Sequence, residues 1–322
     1  MTHPDAIKAW RLLTCNWIVV GLMALALVIA VPLAGFSINL KTAWQPYCTA
    51  AAYIGFAYYN VWQAKVHKTK IIFILGSTGQ ILLVPVLMTP LTYIAASANL
   101  PMQDATLLML DAKLGFDWRT YFDFIYHRHE LLVASVLAYS MIGWPVFGIP
   151  ILLGITGHYR RMQEFTLAFA IALIITTIIS AFVPAIGTYD VLHVMPDPKI
   201  YTPGSYLEQL HDLPMVRDGT LRQLEYMKLT GIVTFPSFHA ATAALYLWAL
   251  WPVRWFRPIA VVVNIAMLLA TPLGGGHYLV DIFAGIAVAA IGVLAACAIA
   301  DRLIRPASLD TEPAPVSLQA AQ

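Results

Sequence analysis

The sequence predicts an all-α, polytopic membrane protein: a helical bundle of about eight transmembrane helices with additional interfacial helices. Apolar residues make up 60% of the 322 residues, charged residues make up 11%, and the mean hydropathy is +0.73. This composition is typical of integral membrane proteins and argues against a soluble protein. The formal net charge of +2 gives no information about partners.

Eight windows are candidates for spanning helices, which need roughly 20 mostly apolar residues each. They are residues 16–36, 46–63, 71–96, 131–155, 165–185, 237–253, 259–273 and 277–300. The first window is too long, and too quickly followed by others, for a cleaved signal peptide, so the chain is predicted to be polytopic from its N-terminus. The three cysteines lie in or beside these windows and predict neither a disulfide framework nor a metal site.

The Lys and Arg residues predict the orientation. With eight spans both termini share one side, and that side holds eleven of the 19 Lys and Arg residues, all in short segments. They are Lys8, Arg11, Lys65, Lys68, Lys70, Arg160, Arg161, Arg254, Arg257, Arg302 and Arg305. The positive-inside rule counts short loops and therefore places both termini in the cytoplasm. We expect a bacterial inner-membrane protein with its active site on the outer, periplasmic side.

Two long connections, residues 99–130 and 186–235, lie on the outer side in this topology. The first mixes aromatic and aliphatic residues with scattered charge, which indicates amphipathic helices at the interface; a packed connector without a catalytic duty explains it equally well. We divide the chain into N-terminal spans (1–98), a catalytic membrane domain (99–305) and a disordered cytoplasmic tail (306–322).

Ionisable side chains at membrane depth are costly and indicate function. His239 lies near the start of the sixth predicted span, and His277 and Asp281 lie at the start of the eighth. A spacing of four residues on a helix places His277 beside Asp281, whose carboxylate can fix one imidazole nitrogen and leave the other as a nucleophile. A carboxylate that merely satisfies a buried histidine is the equally plausible structural explanation.

Glycine and serine residues surround these histidines. Gly275 and Gly276 directly precede His277, and Ser237 lies two residues before His239. Glycines at a helix start allow backbone N–H groups to approach an anion, and the helix N-terminus adds about half a positive charge. Ser237 is predicted to cap its helix or to donate its hydroxyl. Together these features predict a phosphate pocket.

The stretches "FPSFH" (235–239) and "GGHYLVDIFAG" (275–285) resemble the second and third signature motifs of the type 2 phosphatidic acid phosphatase superfamily. "DAKLGFDW" (111–118), "FVPAIGTY" (182–189) and the segment from residue 217 to 240 resemble its inositol phosphorylceramide synthase-like branch more closely. The resemblance covers roughly residues 100 to 300. It implies that His277 attacks phosphorus, that Asp281 orients it, and that His239 protonates the leaving group and then activates the acceptor.

The sequence departs from the superfamily pattern at its cationic positions. The motif KxxxxxxRP is absent, and Thr271 stands six residues before His277, where relatives carry arginine. Phosphate charge must then be met by other residues, and on the outer side the candidates are Arg217, Arg222 and Lys228. Tyr278 is a further candidate for a hydrogen bond to the head group.

Two functions share these catalytic residues. The first is a metal-independent lipid phosphatase that acts at the outer leaflet, and the second is a phosphotransferase that moves a phospho-head group to a lipid hydroxyl acceptor. We expect a membrane lipid phosphate as substrate, no cofactor and no nucleic-acid partner. A third interpretation is a non-catalytic transporter or a haem protein with His239 and His277 as axial ligands.

Overall fold

The structure is a computed structural model that describes residues 3–63 and 69–304. The tail predicted to be disordered, residues 306–322, lies outside the described residues. In chain order the helices are α1 (His3–Leu33), α2 (Leu40–Gln63), α3 (Thr69–Ala96), α4 (Asp104–Lys113), α5 (Trp118–Tyr126), α6 (His129–Ser140), α7 (Pro145–Ile155), α8 (Tyr159–Phe182), α9 (Thr188–Val191), α10 (Gly204–Asp218), α11 (Phe238–Leu250), α12 (Arg257–Gly275) and α13 (Leu279–Ile304). Two short strands, β1 (Ser37–Ile38) and β2 (Gln223–Leu224), pair in parallel.

The predicted all-α membrane bundle is confirmed, whereas the count of eight spans is not. Among the described residues, the helices α1, α3, α8, α12 and α13 are long and apolar enough to cross a membrane, and α6 with α7 makes a sixth span if the pair is taken together. α2 does not reach the required apolar content. α11 has 13 residues; at 1.5 Å per residue this is about 20 Å, shorter than the hydrocarbon core.

The predicted span 131–155 is broken. α6 and α7 meet at an angle of 64° across a break of four residues. Pro145 begins α7, and it lacks the N–H that a continuous helix would donate to the carbonyl of Met141. Gly143 within the break further weakens the helix. The break lies beside the start of α11, where Tyr139 near the end of α6 stacks on His239.

α8 lies at the centre of the bundle and packs against α1, α3, α11 and α13. Small residues bring α13 close to two of its neighbours. A Cβ on Gly285 would stand 2.2 Å from the carbonyl oxygen of Ser237, and one on Gly292 would stand 2.9 Å from that of Ala168. Such contacts are the usual reason for glycine on packed membrane helices. They bring the starts of α11 and α13 side by side.

The two long connections form ordered structure over one end of the bundle. α5 buries Trp118, Phe122 and Ile125 on one face, and this face packs with Tyr189 against Leu273 near the end of α12. The helices predicted for residues 99–130 are therefore present as α4 and α5, of which α5 has an apolar buried face. α4 packs against α13, and α5 packs against the end of α12.

Candidate active site

His277 and Asp281 form a buried pair. Nδ1 of His277 lies 3.1 Å from Oδ2 of Asp281, and the two residues are 4% and 0% exposed. α13 begins only at Leu279, so His277 lies just before the helix and Asp281 reaches back to it from the first turn. Because Nδ1–H faces the carboxylate, Nε2 carries the lone pair on the opposite side of the ring.

The start of α13 is held by carboxylates. Oδ2 of Asp281 also accepts the backbone N–H of Tyr278 at 2.9 Å, and Asp111 of α4 accepts the N–H groups of Leu279 and Val280 at 2.8 and 2.9 Å. Burial raises the pKa of Asp111, and its two N–H bonds counteract that rise. The N–H groups that we expected to meet an anion are thus bound to the protein itself.

A second carboxylate of α4 fixes the loop beside His277. Asp104 accepts the backbone N–H groups of Ile186 and Gly187 and the hydroxyl of Tyr278, the last at 2.9 Å. Tyr278 is fully buried, and burial, together with the charge of Asp104, raises its pKa. α4 therefore anchors the site, so the connector interpretation of this segment is incomplete.

His239 lies in the first turn of α11, which starts as the sequence predicts. Ser237 is the N-cap, and its hydroxyl accepts the N–H of Ala240 at 3.3 Å. The N–H of Ser237 donates to the carbonyl of Asp281 at 3.1 Å, so α11 is tied to α13. The imidazole of His239 stacks on the ring of Tyr139, with centroids 3.9 Å apart and planes 10° from parallel.

Both histidines line one cavity of about 250 Å³, here called the histidine cavity. Its lining contains both histidines with two neighbouring residues, and a larger set of threonines, apolar side chains and amide or phenol groups. The first four are Tyr139, His239, Gly275 and His277; the rest are Pro85, Thr89, Thr92, Ile142, Leu173, Thr176, Tyr206, Gln209, Thr230, Gly231, Val233 and Phe238. Within residues 3–63 and 69–304, neither Lys, Arg, Asp nor Glu lines it.

The two glycines before His277 have different surroundings. A Cβ on Gly275 would stand 2.8 Å from Nε2 of His277 and 2.7 Å from the hydroxyl of Tyr139, so Gly275 borders this nitrogen. Gly276 has φ +62° and ends α12 in the left-handed conformation, which favours glycine. Its carbonyl accepts the N–H of Thr188 at 2.9 Å, and it does not line the histidine cavity.

A sequence model of the PAP2 superfamily matches residues 105–295, which is more than half of the chain. The chain belongs to this superfamily. Both histidines and Asp281 lie inside the matched region, which falls within the predicted catalytic domain 99–305. Neither a curated protein nor a solved structure matches the chain. The inositol phosphorylceramide synthase-like branch and the domain boundaries stay predictions.

The three cations predicted to bind phosphate in this PAP2 protein make other contacts. Arg217 donates to the carbonyl of Leu100 at 2.8 Å. Arg222 donates to the carbonyl of Val216 at 2.8 Å, and its guanidinium lies over the ring of Phe36, directly before β1. Lys228 is mostly exposed and pairs with Glu225 at 2.7 Å. None of the three lines the histidine cavity; their contact with phosphate stays a prediction.

The other predicted binding residues are divided between cavity and scaffold. Gly275 lines the cavity, whereas Ser237, Gly276 and Tyr278 hold its walls in place. Among the described residues, no group of three or more His, Cys, Asp or Glu side chains could hold a metal ion.

Three residues of the site were missed from the sequence. Asp104 and Asp111 lie seven residues apart, a spacing that places both on one face of α4. This spacing is the feature of the sequence that could have indicated a shared role for the two carboxylates. The sequence gives no comparable indication for Tyr139, because its contact with His239 depends on where α6 ends and bends into α7. In this PAP2 superfamily member, carboxylates thus hold His277 and the start of α13 from behind, whereas the described cavity lining contains neither Lys, Arg, Asp nor Glu.

Proposed function

We propose that the protein is a membrane enzyme that hydrolyses a lipid phosphate monoester through a phosphohistidine on His277. One observation carries the proposal: His277 is oriented by Asp281 at 3.1 Å and shares a buried cavity with His239. PAP2 superfamily members are generally phosphatases or phosphotransferases. The superfamily match favours neither a transporter nor a haem protein.

In the first half-reaction, Nε2 of His277 attacks phosphorus, and the bond between phosphorus and the lipid oxygen breaks. Protonated His239 gives its proton to the leaving alkoxide, which departs as an alcohol. Asp281 accepts the Nδ1–H of His277 and stabilises the positive charge that the imidazole gains when Nε2 binds phosphorus. The products are a lipid alcohol and a phosphoenzyme.

In the second half-reaction, neutral His239 takes a proton from water, and the oxygen attacks phosphorus. The bond between phosphorus and Nε2 breaks, inorganic phosphate leaves, and both histidines return to their starting protonation states. This cycle is proposed to need no metal ion, since in-line displacement requires a nucleophile, a proton donor and stabilisation of the equatorial oxygens.

The proposed site faces the outer side of a bacterial inner membrane, with both termini in the cytoplasm. Support comes from the uneven distribution of Lys and Arg, eleven of which fall in short segments on the predicted inner side. The layer of α4, α5, α9 and α10 covers the same end of the bundle as the histidine cavity.

Transfer to a lipid hydroxyl is the second candidate, and a hydroxyl across the cavity favours it. Thr176 of α8 lines the histidine cavity, and its buried Oγ1 has no hydrogen-bond partner among the described residues. A buried hydroxyl without a partner costs about 1–3 kcal/mol. An acceptor alcohol bound there would satisfy it. New phospholipid formed when diacylglycerol or ceramide is added would identify this reaction.

The test is phosphate release in detergent, with EDTA present, from phosphatidate, an isoprenyl phosphate and a sphingoid phosphate. We expect His277→Ala to abolish release and Asp281→Asn to lower kcat about 10³- to 10⁴-fold, because the amide no longer fixes the Nδ1–H tautomer. His129→Ala, an exposed histidine at the start of α6, is the matched control and should keep full activity.

Trapping of the intermediate makes this test specific. A substrate labelled in its phosphate should leave acid-labile, alkali-stable label on the wild-type chain and none on His277→Ala. Wild-type turnover by His277→Ala, or label that persists in that variant, would refute the mechanism.

A further inference from the structure

The histidine cavity poses an electrostatic problem for phosphate. Among the described residues, no Lys or Arg lines it, and the start of α13 is capped by Asp111 and Asp281. At the start of α11, Ser237 caps the N–H of Ala240. Hydrogen bonds to the phosphoryl oxygens must then come from neutral groups that border Nε2 of His277.

Tyr139 has the hydroxyl that best fits this need. It lies one residue before the end of α6, next to the break that leads into α7. Its hydroxyl and Nε2 of His277 approach the same point, the ideal Cβ position of Gly275, to 2.7 and 2.8 Å. The two atoms can therefore be no further apart than the sum of these distances. A group bonded to Nε2 is within reach of the hydroxyl.

The ring of Tyr139 is fixed on two sides. One face stacks on His239 with centroids 3.9 Å apart, and the ring packs against Gly274, where a Cβ would stand 2.3 Å from it. The adjoining break is held by α11, since the hydroxyl of Tyr246 donates to the carbonyl of Ile142 at 2.8 Å. A phenol held in this way is preorganised, which is what an oxyanion donor requires.

We propose that Tyr139 is a further catalytic residue, whose hydroxyl donates a hydrogen bond to a non-bridging oxygen of the phosphoryl group as it moves to and from Nε2 of His277. The proposal rests on the proposed phosphohistidine chemistry. Tyr139 keeps its proton throughout, so no bond is made or broken at the phenol. Its ring positions His239, and its hydroxyl takes the place of a cation at the phosphate.

The experiment compares Tyr139→Phe, which keeps the ring and removes the hydroxyl, with Tyr139→Leu, which also removes the stacking. Tyr47→Phe is the matched control, because its hydroxyl bonds to Tyr226 at 3.3 Å, away from the histidine cavity. The full chain in detergent is titrated calorimetrically with orthovanadate, a phosphate analogue, and kcat/KM is measured for phosphate release.

We expect Tyr139→Phe to weaken vanadate binding at least tenfold and to lower kcat/KM about 10²-fold, the usual effect of removing one oxyanion donor. Its thermal unfolding midpoint should match that of Tyr47→Phe. Tyr139→Leu should lose more activity, because His239 then also loses its support. His277→Ala should no longer bind vanadate.

Each other outcome decides a specific point. If Tyr139→Phe equals Tyr47→Phe in both measurements, the proposal is wrong, and a defect limited to Tyr139→Leu would assign the effect to the ring alone. Absence of vanadate binding by the wild type would also overturn it. Vanadate binding that depends on the hydroxyl, in a protein that hydrolyses no lipid phosphate, would refute the proposed function, overturn the catalytic role of Tyr139 and leave only its hydrogen bond to a phosphate-like anion.

Discussion

Helix α8 lines two cavities, one towards each of its ends, and the two cavities differ in charge. The histidine cavity has a volume of about 250 Å³, and among the described residues that line it there is neither Lys, Arg, Asp nor Glu. The opposite cavity, about 650 Å³, is here called the charged cleft. It is lined by Gly157, His158, Tyr159, Arg160, Arg161, Glu164, Pro252, Cys297 and Asp301.

Three of the charged groups of the cleft form one network of ion pairs. Arg160 contacts Glu164 at 2.6 Å and Asp301 at 2.7 Å, and Arg161 lies over the ring of Trp248 at 4.0 Å. At the other end, the ionisable groups are held by fixed hydrogen bonds inside the protein, as in the pair of His277 and Asp281. Mutually paired charges therefore hold one end together, whereas the other end presents isolated, oriented groups of the kind that the proposed chemistry needs.

Among the changes that test this comparison of the two cavities, the largest effect is expected at Gly275, where the histidine cavity has no space for a side chain. In Gly275→Ala the new Cβ would stand 2.8 Å from Nε2 of His277 and would occupy the space of the reacting phosphoryl group. We expect kcat/KM for phosphate release to fall at least about 10²-fold, as misplacement by 1 Å can cost that much. Gly21→Ala, a helical glycine with open space around it, is the control.

Gly275→Ala also separates blocked chemistry from damaged folding. Gly275 has helical backbone geometry, and alanine favours a helix by up to about 1 kcal/mol relative to glycine. The variant should therefore unfold near the wild-type temperature. Full activity in Gly275→Ala would place the reaction elsewhere than at Nε2 of His277.

A smaller effect is expected at the anchor of α13. Asp111→Ala removes the acceptor for two backbone N–H groups, those of Leu279 and Val280. Loss of a helix cap costs about 0.5–2 kcal/mol, and His277 lies directly before this turn. We expect a reduced free energy of unfolding and a kcat about tenfold lower, with KM nearly unchanged, measured by denaturant titration and phosphate release.

Asp123→Ala supplies the comparison for Asp111→Ala. Asp123 is an exposed carboxylate on the neighbouring helix α5. It should change neither the free energy of unfolding nor kcat appreciably. Equal behaviour of the two variants would show that α4 only covers the site.

The membrane bundle and the pairing of His277 with Asp281 could be predicted because their signals are local. Apolar windows mark the helices by composition, and the spacing of His277 and Asp281 produces their contact within one turn. That contact forms although His277 precedes the helix, since Asp281 caps the same turn. Ser237 likewise caps α11 through atoms three residues apart.

The remaining features depend on tertiary packing, which sequence distance does not report. Arg222 is near His239 along the chain, yet its guanidinium bonds to carbonyls of its own loop. Tyr139 is a hundred residues away and stacks on His239 because α6 ends where it does. In the sequence, Pro145 and Gly143 indicate that break, but the apolar run around them favours one continuous span.

The smallest effect is expected in the charged cleft, where Asp301→Asn tests whether the two ends are independent. Asp301 is 65% exposed at its side chain and shares Arg160 with Glu164. Exposed ion pairs contribute about 0–1 kcal/mol, so the free energy of unfolding should change by no more than that. Because Glu164 still pairs with Arg160, no buried charge is left alone.

Phosphate release by Asp301→Asn should keep its kcat and KM within about twofold, since the changed group lies at the far end of α13 from His277. A large loss of activity with unchanged stability would show instead that the cleft is coupled to the histidine cavity through α8 or α13.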